Sequence, residues 1–570
     1  MGISAAMNVG LTALNAAQTA LETVGNNIAN ANTPGYSREN AILAAAPAQT
    51  TGFKLGTGVQ VQSIQRVYSA AVNAQVWSAT SDAQSASVQN QSLSQIESLY
   101  ADTSSTDLTS SLTNFFNAFS ALAATPTNAG QRTIAVSQAQ TLASSIVQVR
   151  SGLDQLRQQA NTSIQTDVAQ INQLAGQVAG LNTQIMQAEQ GVSGSAPGLE
   201  DERDSALQSL SQLIGIRTVT QNDGSVNVLV GNTVLVDGAA SRTLKTQTVA
   251  NGGQSVSQVE YSDNSEPLPI TGGDLAGQIA TRDQWCTGQI SSLDTLTQGL
   301  ISAVNSLTAG GVGTTPQSSL TASQSVLDPT ASLNSLQAGL PMSPQSGSFL
   351  INVTNNATGQ TVSSLITMNV PPGTANLAGA GATTLNSLAT QLNGIPNVQA
   401  YVNSTNQLVV NGSTPGVSIS FSQDTSNTLS SLGLGGLFTG YDSATIGISS
   451  ANSANPGTLA TGLVGQSGDG SIARQIANLA NTSLSSLGNV SLLGYQQQAA
   501  TTLAVNAQNA KSSSAAAAAF LTTATNDQQA ISGVNLDEEA VNMIQYQNGY
   551  AAAAKFIMTM QQLMQTLIQM

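Results

Sequence analysis

The chain has 570 residues, with 14 Lys and Arg against 29 Asp and Glu, a formal net charge of −15, one Cys and no His. That length allows several domains, each burying its own core, yet only 8% of residues are charged, against roughly 25% in an ordinary globular domain. The absence of His removes the commonest metal ligand and proton shuttle. One Cys excludes an internal disulfide framework, and an acidic chain without a basic stretch argues against nucleic acid as a partner.

No apolar run reaches the ~20 residues that span a bilayer, so no membrane insertion is expected. The opening Met1-Gly2-Ile3-Ser4-Ala5-Ala6-Met7-Asn8 lacks the basic region and cleavage site of a secretory signal. Abundant Ser, Thr, Asn, Gln, Ala and Gly with little charge leaves open a secreted structural protein, exported without a cleaved signal peptide.

In chain order, Ile3, Met7, Gly10, Leu14, Ala17, Leu21, Val24 and Ile28 recur at spacings of three and four, which places them on one stripe of a helix. Such a helix is too short to be stable alone in water and needs a partner. It is expected to end near Asn30, because Thr33-Pro34-Gly35 supplies a turn. Long helical tracts are expected at roughly 80–150, 151–190, 274–307 and 470–530. In the second, Ile164, Ile171, Val178 and Ile185 stand seven apart with Leu174 and Leu181 between them, the pattern of a bundle core.

Two insertions change period. Val226, Val228 and Val230 alternate between the turn dipeptides Asp223-Gly224 and Gly231-Asn232. A second β-rich stretch, about 331–450, has strands expected at Phe349–Thr354, Leu365–Val370, Val398–Val402, Gln407–Asn411 and Val417–Ser422, and a short helix at Thr384–Leu392. Thr308–Gln317 and Gly447–Gly457 are small and polar, as hinges are.

The C-terminus mirrors the N-terminus. Ala540, Met543, Gln547, Tyr550, Ala554, Ile557, Gln561, Met564 and Ile568 follow the same spacing, with two amides interrupting the seam. Asn535 can cap this helix with Glu538 three residues on as in a capping box, and Asp537 and Glu539 suit its positive end. The acidic trio therefore reads as structural rather than catalytic.

No Walker loop, dinucleotide fingerprint, CxxC pair or His-Glu metal motif occurs. Asp201-Glu202-Arg203-Asp204 lies on one helix, where neighbours point apart, so local pairing with Arg203 is expected rather than acid-base catalysis. Gly433-Leu434-Gly435-Gly436 lacks the Lys of a phosphate cradle. Cys286 reads as a small buried hydrophobe. No catalytic residue, cofactor or metal site is expected, and the chain is not expected to be an enzyme.

The run Asn27-Ile28-Ala29-Asn30-Ala31-Asn32-Thr33-Pro34-Gly35-Tyr36-Ser37-Arg38 resembles the N-terminal signature of the flagellar rod, hook and hook-associated protein family. Gly533-Val534-Asn535-Leu536-Asp537-Glu538-Glu539-Ala540, with Tyr546-Gln547-Asn548-Gly549-Tyr550, is similar to its C-terminal signature. Thr33–Arg38 looks most like the hook-associated branch. So do Phe115–Phe119 with Pro126 and Arg132, the tract Leu153–Ile185, Asp201–Asp204, and Gly272–Gly277. Ser306-Leu307-Thr308-Ala309-Gly310 departs from the family, which often carries a His and a Gly-Asp-Leu run there.

The resemblance implies a mainly α, elongated multi-domain protein with inserted β domains. Terminal coiled-coil helices are expected at 1–50 and 530–570, and a helical bundle at 51–215, 273–330 and 451–529. A small β domain is expected at 216–272 and an outer β-rich domain at 331–450. The implied function is a structural junction between flagellar hook and filament. Its partners would be copies of itself, the hook protein, the second hook-associated protein and an export chaperone. A hook or rod subunit, or a secreted adhesin, are the alternatives. The assembly residues would be Ile3, Met7, Leu14, Leu21, Val24, Ile28, Met543, Tyr550, Ile557, Met564 and Ile568.

Overall fold

The computed structural model describes residues 3–47, 56–100, 107–189, 194–251, 254–371, 381–464, 466 and 468–569, with the side chains of Ile3, Asn251 and Gln254 outside the description. The part of the expected 80–150 helix at 101–106 lies outside the described residues.

The elements run α1 (Ile3–Asn30), β1 (Glu39–Ala45), β2 (Val59–Arg66), α2 (Ala70–Tyr100), α3 (Leu108–Ala124), α4 (Ala129–Glu189) and α5 (Pro197–Leu213). Six strands follow: β3 (Arg217–Thr220), β4 (Val226–Val230), β5 (Thr233–Asp237), β6 (Ala240–Ser241), β7 (Leu244–Asn251) and β8 (Gln254–Tyr261). Next come α6 (Gly273–Ala280), a π turn (Thr281–Cys286) and α7 (Thr287–Ala309). The second β stretch holds β9 (Ser319–Thr321), β10 (Gly347–Asn355), β11 (Thr361–Met368), α8 (Leu385–Asn393), β12 (Val398–Val402), β13 (Leu408–Gly412) and β14 (Val417–Ser422). After it come α9 (Thr428–Leu432), β15 (Phe438–Thr439), β16 (Gly447–Ile448), α10 (Ser450–Ala454), α11 (Ser471–Asn478), α12 (Leu492–Ser532) and α13 (Leu536–Gln569). The fold is mainly α with several small sheets, as expected. Among the described residues no helix is long and apolar enough to cross a membrane.

The chain divides into two compact units, one formed by 1–92, 158–282 and 508–570, the other by 93–157 and 283–507. These boundaries cut across the expected single bundle. In the first unit the heptad residues Ile164, Ile171 and Val178 are buried, but not in a bundle. They share one core with Leu207 and Leu210 of α5 and with Val226, Val228, Val230, Leu235 and Val236 of the sheet β3-β4-β5-β6. The stretch 216–272 is therefore no separate domain: a sheet this small has too little apolar surface for a core of its own. Asn182 ties it down, its amide donating to Val226 O at 2.9 Å and Gly238 O at 2.7 Å while its Oδ1 accepts from Val226 N.

In the second unit, β12, β13 and β14 fall within a residue of expectation, in sheets β11-β10-β14 and β12-β13-β9. Their core extends back to Ala309 and Leu320, so this module starts before residue 331. The expected hinges pair with one another, Thr315 N donating to Gly457 O at 2.9 Å, and Val312 N donates to Gly462 O at 2.8 Å just beyond the second of them. Small residues there serve close backbone approach: a Cβ on Gly313 would fall 2.3 Å from Gly457 O. α7 runs on through Ala309 to a Gly310 cap. Cys286 is buried, and burial pushes its thiol up to about 12.

Phe115 packs against Phe116, Phe119 and Phe438 with ring centroids 4.9–5.7 Å apart. Arg132, 2% exposed, donates to Pro126 O at 2.7 Å, Leu459 O at 2.6 Å and Thr461 Oγ1 at 2.6 Å. Arg132→Met leaves these acceptors without their donors and is expected to lower stability by about 2–4 kcal/mol, read by calorimetry of the full chain.

Candidate assembly site

α1 and α13 pack against each other within one chain. Gly10 lets them approach: a Cβ there would meet Ile557 Cγ1 at 2.9 Å and Phe556 Cδ1 at 3.0 Å. The β1–β2 hairpin also packs on α1. Because α1 is enclosed from two directions, its buried stripe is Gly10, Ala16, Ala20, Thr23, Val24 and Asn27. Of the expected stripe Gly10 and Val24 are buried; Met7, Leu14, Ala17, Leu21 and Ile28 are half-buried, and the side chain of Ile3 is outside the description. Small residues win the interior since they permit close helix approach.

On α13 the buried positions are Glu539 and Ala553, with Met543, Ala554, Ile557 and Met564 half-buried. Tyr550 and Ile568 are exposed, as are Gln547 and Gln561. The two amides therefore do not interrupt the contact with α1, which corrects the expected polar break in that seam. Away from that contact α13 keeps further apolar side chains in solvent: Leu536, Val541, Ile544, Met558, Leu563 and Leu567 are each at least half exposed. Leu11 on α1 is exposed too.

The signature Asn27–Arg38 forms the lock at the base of this pair. Ile28 O and Asn30 O accept the turn's first backbone bonds, and Gly35 takes φ 81°, which favours glycine. Asn27, 1% exposed, is its hub. Its Oδ1 accepts from Tyr36 OH at 2.8 Å and Glu39 N at 2.9 Å. Its Nδ2 donates to Glu39 O at 2.9 Å and to the buried Glu539 Oε2 at 3.2 Å. One amide thus joins α1, the turn, β1 and α13. Asn30 Nδ2 donates to Asn26 Oδ1 at 2.9 Å, and Thr33 Oγ1 to Asn30 Oδ1. Asn32 and Pro34 are exposed.

Asn535 Oδ1 accepts from Asp537 N at 3.0 Å, while the exposed Leu536 and Asp537 begin α13. Glu538 makes no capping box; its carboxylate receives Arg38 Nη1 at 2.6 Å. Arg38 N in turn donates to Ser532 O at the end of α12. Across 500 residues, a long arginine prevails over the local backbone group because it can carry a charge-assisted bond.

The acidic run on α5 also finds a distant partner. Arg66, at the end of β2, reaches Glu200 at 2.7 Å, Asp201 at 2.6 Å and Asp204 at 2.9 Å, and its guanidinium lies 4.7 Å from the Tyr68 ring centroid. The expected partner Arg203 instead donates to Gly224 O at 2.7 Å. Burial acts to lower Arg66, but Asp204, Glu200 and Asp201 outweigh it, and the guanidinium is held above its ordinary value. Burial raises Asp204, opposed by Arg66. Asp201 also accepts from Ser37 N at 3.0 Å, which fastens the signature turn to α5. Burial, then the nearby charges of Glu39, Asp201 and Glu539, holds the Tyr36 hydroxyl well above the usual phenol range, so it stays a donor.

Every strong contact here is structural: carboxylates are paired with arginines or amides. The groove beside the turn, about 500 Å³ and lined by Asn26, Pro34, Gly35, Tyr36, Asp201 and Glu202, is open. Sequence reasoning missed Arg66, Glu39 and Ala16-Ala20 because none stands in an apolar periodic run.

Residues 93–320 match the family model described as the flagellar hook-associated protein FlgK helical domain. Residues 7–36 match the flagella basal body rod protein model, and 528–570 the C-terminal model of the flagellar basal body rod FlgEFG proteins. The flagellar hook-associated protein 1 of Salmonella typhimurium is 31% identical over 294 residues, covering 50% of this chain and 52% of that protein. That of Escherichia coli is 29% identical over 291 residues, 50% and 53% of the two chains. That of Bacillus subtilis is 31% identical over 226 residues, 38% and 44%. The chain thus spans about half the length of the curated relatives it matches. A solved structure, the flagellar hook junction protein FlgK from Burkholderia pseudomallei, aligns with TM-score 0.49 at 21% identity, over 80% of this chain and 100% of that one.

Proposed function

We propose that this chain, which belongs to the flagellar rod/hook axial family and carries its hook-associated helical domain, is the structural junction between hook and filament. The observation that carries this reading is the locked α1–α13 pair, on which α13 leaves six large apolar side chains at least half exposed. An exposed apolar surface of this extent is stabilised by burial against another chain, and copies of the same subunit supply it. Burying one Leu-sized side chain contributes about 1.5–3 kcal/mol, so a few residues per subunit suffice to drive ring closure once ordering entropy is offset. In this reading one end of the ring meets the hook protein and the other the second hook-associated protein. An export chaperone covers the C-terminal helix until the subunit arrives through the flagellar export route. The residues proposed for assembly are the half-buried Met7, Leu14, Leu21, Ile28, Met543, Ile557 and Met564, with the exposed Tyr550 and Ile568.

Leu14→Asp and Ile557→Asp are expected to abolish filament attachment while the second unit stays folded. Val541→Asp, at a position 64% exposed, is expected to do the same without disturbing the chain itself. Swimming assays and electron microscopy of complemented deletion strains read the outcome. Intact hooks lacking filaments are expected; normal motility in all three variants would overturn the reading, and loss of the hook itself would favour a hook or rod subunit.

A further inference from the structure

Four of the chain's ten methionines lie in the 34-residue α13: Met543, Met558, Met560 and Met564. Among the described methionines Met558 alone stands in open solvent, 55% exposed, while Met368 of β11 is 1% exposed and the others are half-buried. α1 and α13 run antiparallel, with Asn27 bonded to Glu539 at the lock and Gly10 lying against Ile557 further along. Met7 is one turn beyond Gly10, and Met560 and Met564 follow Ile557 on the same side of α13. This register sets Met7 level with Met560. The lock end is tied by polar bonds, from Asn27 to Glu539 and from Arg38 to Glu538. At the far end the contact is apolar, Gly10 meeting Ile557 and Phe556. Thioethers suit such a seam because they are unbranched and polarizable.

We propose that the far end of the α1–α13 pair is a methionine oxidation site, at which a peroxide converts Met558, then Met560 and Met564, to sulfoxides and so opens the pair. In each step the thioether sulfur takes one oxygen from hydrogen peroxide, the O–O bond breaks and water leaves; the sulfur gives up two electrons and the peroxide accepts them. Met558 reacts first because its side chain is exposed. It is one residue on from Ile557, turned about 100° from the seam, so its sulfoxide stays in water. Met560 and Met564 are half-buried and react as the helix end frays. Their sulfoxides are polar groups set among apolar side chains, and burying one such group without a partner weakens the packing about tenfold or more. A methionine sulfoxide reductase reverses the step, returning the oxygen as water while a dithiol becomes a disulfide.

The consequence for assembly rests on the ring proposed above: a loosened α13 no longer offers a fixed surface to a neighbouring copy, so oxidised subunits are expected not to add. The oxidation and the loosening belong to the single chain and hold without that reading.

The test treats the full chain with limiting hydrogen peroxide, reading the order of oxidation by peptide mass spectrometry and the loosening by hydrogen exchange along α13. Met558 is expected to oxidise first, Met560 and Met564 after it, and Met368 last. Exchange at the amides beyond Ile557 is expected to rise about tenfold once Met560 and Met564 are oxidised, and to return after treatment with the reductase and a dithiol. A chain carrying Met7→Leu, Met560→Leu and Met564→Leu together, swaps that nearly conserve volume, is expected to oxidise at Met558 yet keep the protection of its own untreated sample. Another described methionine oxidised ahead of Met558, α13 protection unmoved by sulfoxides at Met560 and Met564, or the same rise in the leucine chain each overturns the proposal. Should the leucine chain fail to fold, wild type still decides: exchange that stays fast after the sulfoxides are reduced overturns it. Purified subunits offered to the hooks of a deletion strain separate the two readings. Oxidised subunits that loosen as expected yet still attach filaments support the oxidation site and count against the ring surface.

Discussion

Arg66→Met is expected to cost about 3–5 kcal/mol of stability, because removing one side of a buried ion cluster leaves its charges uncompensated. The side chain is 4% exposed, and its partners Glu200, Asp201 and Asp204 are only 11–15% exposed. Three carboxylates on neighbouring turns of α5 would then repel one another in a poorly hydrated space. Urea unfolding of the full chain at neutral pH measures the loss. Lowering the pH should recover part of it, since protonated carboxyls no longer need the guanidinium. Arg66→Lys should lie between the two, because a point charge cannot span three acceptors as a planar fork does. A variant as stable as wild type would mean that α5 holds its acids without β2.

Asn27→Ala is expected to be the next most costly change, about 3 kcal/mol, as a buried donor or acceptor left without a partner costs about 1–3 kcal/mol. Four bonds are lost together: to Tyr36, to both backbone groups of Glu39 and to Glu539. Asn27→Asp should be worse, because it replaces the donor to Glu539 by a third carboxylate beside Glu39 and Glu539. The local readout is proteolysis of α13, which should be cut sooner in both variants while fragments of the second unit persist. An α13 equally resistant in wild type and Asn27→Ala would show that helix packing alone holds the pair.

Those two residues illustrate what could be read in advance. Asn27 stood inside a recognisable signature, so its importance was legible although its four partners were not. Arg66 closes a strand whose Val59-Gln60-Val61-Gln62 alternation breaks at Ser63-Ile64, and nothing in its neighbourhood distinguishes it from any surface arginine. Its three partners lie more than 130 residues away, joined only when the hairpin packs near α5. The β7–β8 hairpin was missed for a different reason. Its runs are polar, Lys245-Thr246-Gln247-Thr248 among them, and only the Asn251-Gly252-Gly253 stretch marks a turn.

The sequence alone determined the helical ends, the turn at Thr33-Pro34-Gly35 and the strands β4 and β12–β14. Each follows from local rules: spacing, backbone restriction by proline, turn dipeptides and strict alternation. It also determined that α4 has an apolar seam, since Ile164, Ile171 and Val178 repeat at seven. Tertiary structure decided what faces what. α4 packs against a sheet rather than a bundle, because the small sheet and α5 together supply the apolar surface it needs. α1 buries Ala16 and Ala20 rather than Leu14 and Leu21, because enclosure by α13 and a hairpin selects small residues where backbones come close. The acids of α5 and α13 choose distant arginines over local caps, because a charge-assisted bond is stronger than a neutral one and distance in sequence costs little once the chain has folded.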